Sequence, residues 1–189
     1  MKKHSDKVGS SSRQVKMPDN QQERLKTKWW VVGFVDGEGS FSVSVYQNKK
    51  ARMKLFWQVF PEFVVTQGEK SLQSLKKLKK FFSCGNIYKA GYKKNDNHRE
   101  PLYRYCVRSV NDLAEKIVPF FMKNKLQTAK RKDFEKFAKI IKMIQKKNHL
   151  KISGLKKIAK LIQSMNRKKP SLFLESSETI RRARQKLNI

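Results

Sequence analysis

Apolar residues recur at roughly helical spacing from Arg24 to Val35, where Leu25, Trp29, Val32 and Phe34 predict a short hydrophobic helix. Asp36-Gly37-Glu38-Gly39 is expected to break it with two glycines. Strict alternation follows, with Phe41, Val43 and Val45 on one face and Ser40, Ser42, Ser44 and Tyr46 on the other, the mark of a half-exposed strand. A basic turn at 48–52 separates it from a β-branched and aromatic run, Leu55 to Val65, in which Pro61 predicts a bulge or an edge. Thr66-Gln67-Gly68-Glu69 has the form of a capping box, and Leu72, Leu75, Leu78 and Phe82 trace an amphipathic helix ending before Gly85. Two more strands are expected at Asn86 to Tyr92 and Leu102 to Val110, with Asn111 or Asp112 capping a helix through Phe121. Then come helices at 128–147, with Phe134, Phe137, Ile141 and Ile144 inward, and at 153–166, with Leu155, Ile158, Leu161, Ile162 and Met165 inward. A last helix is expected from Ser176 or Ser177. The order is helix, two strands, helix, two strands, helix, with further helices behind: an α+β chain.

Residues 1–22 break this patterning. Lysine, serine, asparagine and glutamine there cannot bury enough surface to offset their ordering entropy, so a disordered basic tail is expected ahead of one domain spanning 23–189. The chain has 189 residues, the size of one ordinary domain. Charge adds a partner to this picture: 45 lysines and arginines against 15 acids leave a net +30. Such self-repulsion is relieved where phosphates are neutralised and their counterions released, which favours nucleic acid. A membrane is disfavoured, because no run of about eighteen apolar residues occurs. Between Lys123 and Lys169 seventeen basic residues stand against two acids, so the later helices carry much of the charge. Cys84 and Cys106 form neither a metal-binding pair nor a secreted disulfide framework, which points to a reducing intracellular compartment.

Gly33 is the first residue that calls for a functional reason. A glycine in mid-helix costs up to about 1 kcal/mol relative to alanine, and close approach of a second helix would compensate, as ordinary core packing also would. Val31-Val32-Gly33-Phe34-Val35-Asp36-Gly37-Glu38-Gly39 resembles, in chemical type at each position, the nine-residue signature of LAGLIDADG homing endonucleases. The resemblance continues in Ser40-Phe41 and its alternating strand, in Thr66-Gln67, in Pro119-Phe120 before a lysine-rich turn and in Ser177-Glu178-Thr179.

That resemblance implies an αββαββα core with a four-stranded antiparallel DNA-binding sheet and extra C-terminal helices. It also implies an intron-encoded enzyme making a metal-dependent double-strand break in a long pseudo-palindromic DNA target. Glu38 would be the catalytic carboxylate and a metal ligand, the Gly37 carbonyl a further ligand, and Gly33 and Asp36 structural members of the motif, with the reverse assignment of Asp36 and Glu38 left open. Gln67 would stand near the attacking water and Lys125 would stabilise charge, although by composition alone one is a helix-start residue and the other a solvated lysine. Ser71 stands where many relatives carry an arginine, which puts that auxiliary role in doubt. One motif in the chain implies a homodimer through the motif helix, with a cleavage centre shared across the two-fold axis. Mg2+ is the implied cofactor; Mn2+ would substitute, and Ca2+ would bind without supporting cleavage.

An antiparallel sheet can follow the major groove, where each base pair shows its own donor and acceptor pattern. The outward residues expected to meet DNA are Ser40, Ser42, Ser44, Tyr46 and Asn48 on the first strand and Gln58 and Glu62 on the second. Tyr88, Lys89, Arg104 and Arg108 follow on the third and fourth, in a register the sequence leaves open by one residue. Lys49, Lys50 and Arg52 in the hairpin loop would grip phosphates. Two alternatives stand beside this reading: an intron RNA maturase, and a catalytically inactive DNA-binding protein of the same fold. The localisation it implies is intracellular, in an organelle or a bacterial cytoplasm.

Overall fold

The computed structural model describes residues 19–47, 57–90, 100–165 and 173–174. Helix α1 (Asp19–Glu38) is longer than its apolar spacing suggests. It begins at Asp19, within the stretch expected to be a tail, and it does not break at Asp36. The Asp36 side chain bonds a loop some 90 residues downstream instead of competing for the helix backbone. The Lys130 ammonium meanwhile satisfies the late carbonyls of Val35 and Gly37. The helix ends at Gly39, where a Cβ would stand 2.6 Å from Val35 Cγ1 and 2.7 Å from the Val35 carbonyl. Only glycine fits at that corner.

Strand β1 (Gly39–Gln47) leaves it directly and pairs antiparallel with β2 (Trp57–Gly68). β2 runs through Gly68, so the expected capping box is not one: Thr66 and Gln67 are held in the ladder opposite Arg104 and Tyr103. A 3-10 turn (Glu69–Ser71) leads into α2 (Leu72–Phe82), and neither start carries a side-chain cap of its own. The Glu100 carboxylate supplies an acceptor from outside, 2.6 Å from the Lys70 amide. Strands β3 (Asn86–Lys89) and β4 (Leu102–Val107) are shorter than their apolar runs and complete an antiparallel sheet in the order β1-β2-β4-β3. Pro61 sits on β2 ahead of Phe63, where pairing with β4 begins, so its missing N–H costs the second ladder nothing.

Ser109, and not Asn111 or Asp112, caps the next helix, its hydroxyl accepting from the Asp112 amide at 3.2 Å. That helix comprises α3 (Val110–Asp112), a π stretch (Leu113–Ile117) and α4 (Val118–Lys123). The wider π turn leads into Pro119, whose ring offers no N–H and needs room at the carbonyl four residues back. Helices α5 (Lys130–Gln145) and α6 (Ile152–Gln163) follow. α5 buries the four residues its spacing predicts and Ile140 besides, while α6 buries Leu155 and Ile158 and leaves Leu161 and Ile162 half-buried. The helix expected from Ser176 lies outside the described residues.

The strand residues that pack into the main core cluster are odd-numbered: Phe41, Val43, Phe63, Val65, Tyr105 and Val107. A knot of rings, Phe41, Phe63, Phe121, Phe134 and Phe137, joins sheet to helices. At the far end of β1 and β2, Trp57 packs edge-on against Phe173, beside Leu155 and Ala159 of α6. One face of the sheet is thus covered by helices, and its even-numbered residues form the other face.

Candidate functional site

The foot of α1 carries two acids with opposite surroundings. Asp36 is 8% exposed, and its carboxylate accepts from the Gln127 amide (2.7 Å), the Thr128 amide (3.1 Å) and the Thr128 hydroxyl (2.6 Å). Burial pushes its pKa up, but those donors and the nearby Lys130 ammonium outweigh burial and hold it below the usual carboxylate value. Glu38, two residues on, is exposed and forms no hydrogen bond or ion pair among the described residues. Asp36 therefore ties the α4–α5 linker to α1, and Glu38 is left to face outward at the helix end.

That linker delivers Lys130, whose Nζ lies 3.0 Å from both the Val35 and the Gly37 carbonyl oxygens. Desolvation lowers its pKa, against an upward pull from Asp36 and Glu38. Sequence reasoning singled out Lys125, which is exposed and offers its own carbonyl to the Gln127 side chain. Lys130 was hidden among seventeen basic residues; the one signal for it is Thr128, two positions earlier, as the partner of the motif's Asp36. Gln67 lies on β2 two residues past Val65, the partner of Gly39, so it extends the sheet beside the corner where α1 becomes β1. Ser71 lies in the turn ahead of α2. Among the described residues no three His, Cys, Asp or Glu gather as a metal cluster. A single chain thus brings the exposed Glu38 carboxylate and the Gly37 carbonyl, which Lys130 Nζ already bonds, both hard oxygen donors.

The open face of the sheet holds Ser40, Ser42, Ser44 and Tyr46 opposite Val64, Glu62, Phe60 and Gln58. The Tyr46 hydroxyl donates to Gln58 Oε1 at 3.1 Å. Thr66, Arg104 and Tyr88 form one row across the next three strands, and Gln67, Tyr103 and Lys89 form the next. Tyr88 and Arg104 accordingly lie on the open face and Lys89 on the opposite one. Glu62 joins Arg104 (3.2 Å) and Arg108 (2.7 Å). Asn48, Lys49, Lys50 and Arg52 lie outside the described residues.

A second open surface runs along α1 itself. Trp29 is 56% exposed, and a Cβ at Gly33 or at Gly37 would meet nothing within 4 Å. These residues are four apart and share one side of the helix. Trp30 turns away, stacking on Phe34 and lying under the Lys77 ammonium.

These features define a class of protein, an α+β domain whose antiparallel sheet is open on one face among the described residues, with an exposed acid at the corner of that sheet. The chain belongs to the LAGLIDADG endonuclease family, whose pattern matches residues 31–141. A relative from Neurospora crassa, named Probable intron-encoded endonuclease 2, is 33% identical over 136 residues, covering 72% of this chain and 26% of the relative. The chain thus spans about a quarter of the length of that curated relative. The crystal structure of a homing endonuclease, I-TnaI, is 40% identical with a TM-score of 0.66, over 74% of this chain and 87% of that one. I-SmaMI bound to uncleaved DNA target in the presence of calcium ions is 38% identical with a TM-score of 0.71, over 79% of this chain and 48% of that one. No helix among the described residues is long and apolar enough to cross a membrane.

Proposed function

We propose that the chain is one half of an intron-encoded homing endonuclease that makes a metal-dependent double-strand break in a long pseudo-palindromic DNA target. The observation that carries this reading is the contrast at the foot of α1: Asp36 fully engaged, Glu38 free beside the Gly37 carbonyl and Lys130. Glu38 and Gly37 are the residues that would hold Mg2+ or Mn2+, and Ca2+ without turnover. Such a cation, when bound, supplies charge neutralisation at the phosphate and a more acidic water. Glu38 would hold the cation beside the scissile phosphate, Gln67 at the end of β2 would position a water through its side-chain amide, and Lys130, in place of Lys125, would stabilise charge at the phosphate.

The missing half of the ligand set comes from a second Glu38. Packing α1 on α1 through Trp29, Gly33 and Gly37 around a two-fold axis brings the two helix ends together, and a second copy of the chain is its source. The matched part of I-SmaMI is about half of that chain, in keeping with a unit that works in pairs. The open face of the sheet binds duplex DNA. A second reading, an intron RNA maturase, draws on the exposed lysines of α2 and α6, such as Lys76, Lys80, Lys156 and Lys160, which belong to the helical layer and not to the sheet. An intron origin places the protein inside an organelle or a bacterium.

The test is to select a target from a DNA library and incubate it with Mg2+ and either the wild type or Glu38→Gln. The wild type should cut, and E38Q should bind with similar affinity and not cut. Undiminished cutting by E38Q would remove Glu38 from the mechanism, and RNA binding with no DNA preference would favour the maturase.

A further inference from the structure

On the open face of the sheet two arginines converge on one acid. Glu62 accepts from Arg104 Nη2 through Oε2 at 3.2 Å and from Arg108 Nε through Oε1 at 2.7 Å, so both of its oxygens are engaged. Its side chain is 14% exposed, whereas those of Arg104 and Arg108 are 38% and 44% exposed. The acid therefore lies beneath the arginines. The Arg108 guanidinium also sits 5.7 Å from the ring centres of Phe60 and of Tyr88, within the range of attraction to an aromatic face. Val64 and Cys106, also even-numbered, are buried in the row between.

Which nitrogens are engaged decides what this cluster can read. A guanidinium carries five N–H groups in a rigid fork. Arg108 gives its Nε–H to Glu62, and its two terminal nitrogens make no hydrogen bond among the described residues. That pair matches the O6 and N7 acceptors of a guanine edge in the major groove. Arg104 gives a terminal nitrogen to Glu62, which leaves it a less favourable fork. An unsupported arginine would lose rotamer freedom on meeting a base; this one is already held by an acid and two rings.

We propose that Arg108 reads a guanine in the DNA target and that Glu62 is a positioning residue that holds it for that contact rather than a base reader itself. This rests on the sheet being the DNA face. Glu62 touches no base; it fixes the direction of the Arg108 fork and keeps the two like charges together. The target therefore carries a G·C pair at one position in each half-site, set by Arg108.

The experiment is selection of bound sequences from a randomised duplex library by the wild type, Arg108→Ala, Arg108→Lys and Glu62→Gln, read position by position. The wild type should prefer guanine at one position per half-site by about ten- to a hundredfold. R108A and R108K should lose that preference and keep the others, and E62Q should weaken it at the same position, with any further loss confined to the position facing Arg104. A purely structural role for Glu62 would instead weaken all positions together. A substrate-side control avoids any folding defect: 7-deazaguanine at that position removes N7 and should reduce binding by the wild type but not by R108A. A wild-type profile that survives R108A unchanged, or an E62Q loss spread over every position, overturns the proposal while leaving the endonuclease reading intact. A wild type that selects no duplex sequence overturns both.

Discussion

At Asp36 a buried carboxylate accepts hydrogen bonds from the Gln127 amide and from the amide and hydroxyl of Thr128. Asn in its place turns a donor amide toward donors, so Asp36→Asn should lower stability by about 2 kcal/mol or more in urea denaturation. The pH dependence follows from the direction of its shift. A carboxyl held below its usual pKa when folded contributes stability above the unfolded value, near 3.9, and loses it as pH falls through the lower folded value. D36N should therefore flatten the acid limb of the wild-type stability curve, and an unchanged limb would contradict the assignment. At the neighbouring cation, Lys130→Ala should slow cleavage by about a hundredfold or more in single-turnover assays, whereas Lys125→Ala should stay within a few fold. The acids of the motif were legible in the sequence, where resemblance made Glu38 the catalytic acid and Asp36 the structural one but left the reverse open. That distinction depends on Thr128, 92 positions away, which only the fold brings to Asp36.

Among the elements, the alternating strands were read best. Phe41 and Val43 face the core and Ser42 and Ser44 do not, because a half-covered sheet imposes a period of two on its sequence. The ends of elements were read worst, since long-range partners set them: Lys130 extends α1, the β4 ladder keeps Thr66 and Gln67 extended, and Ser109 starts the helix ahead of Asn111. The same helix supports two substitutions of opposite sign. Gly39→Ala would force a Cβ into Val35 and should destabilise by about 1–3 kcal/mol. Gly33→Ala meets nothing among the described residues, so it should raise the thermal stability of the isolated subunit by up to about 1 kcal/mol. If α1 pairs with a second α1, that variant should still weaken assembly, seen as a lower mass by analytical ultracentrifugation. A drop in both quantities would place Gly33 in an intrachain contact instead.

For the whole molecule, the net charge of +30 predicts an affinity governed by counterion release. With about six phosphate contacts per complex, binding should fall by roughly a thousandfold between 50 and 200 mM salt, measured by fluorescence anisotropy on the selected target. A nearly flat salt response would contradict a backbone-gripping surface. The sheet face itself is modest in charge, with Arg104 and Arg108 sharing Glu62, while lysines crowd the helices. Charge pointed to nucleic acid as the class of partner in the sequence alone, whereas the proposal that the open sheet face meets it rests on the sheet register. If each chain holds half of a cleavage centre at Glu38, mixing differently tagged wild-type and Glu38→Gln chains will reveal it. Mixed assemblies, purified through both tags, are added with Mg2+ to a supercoiled plasmid carrying the target. A shared centre predicts that wild-type pairs linearise it, E38Q pairs leave it intact and mixed pairs lose linearisation, stopping at most at a nick. Linearisation at the wild-type rate by the mixed pairs, or by a chain shown to act as a monomer, would contradict it.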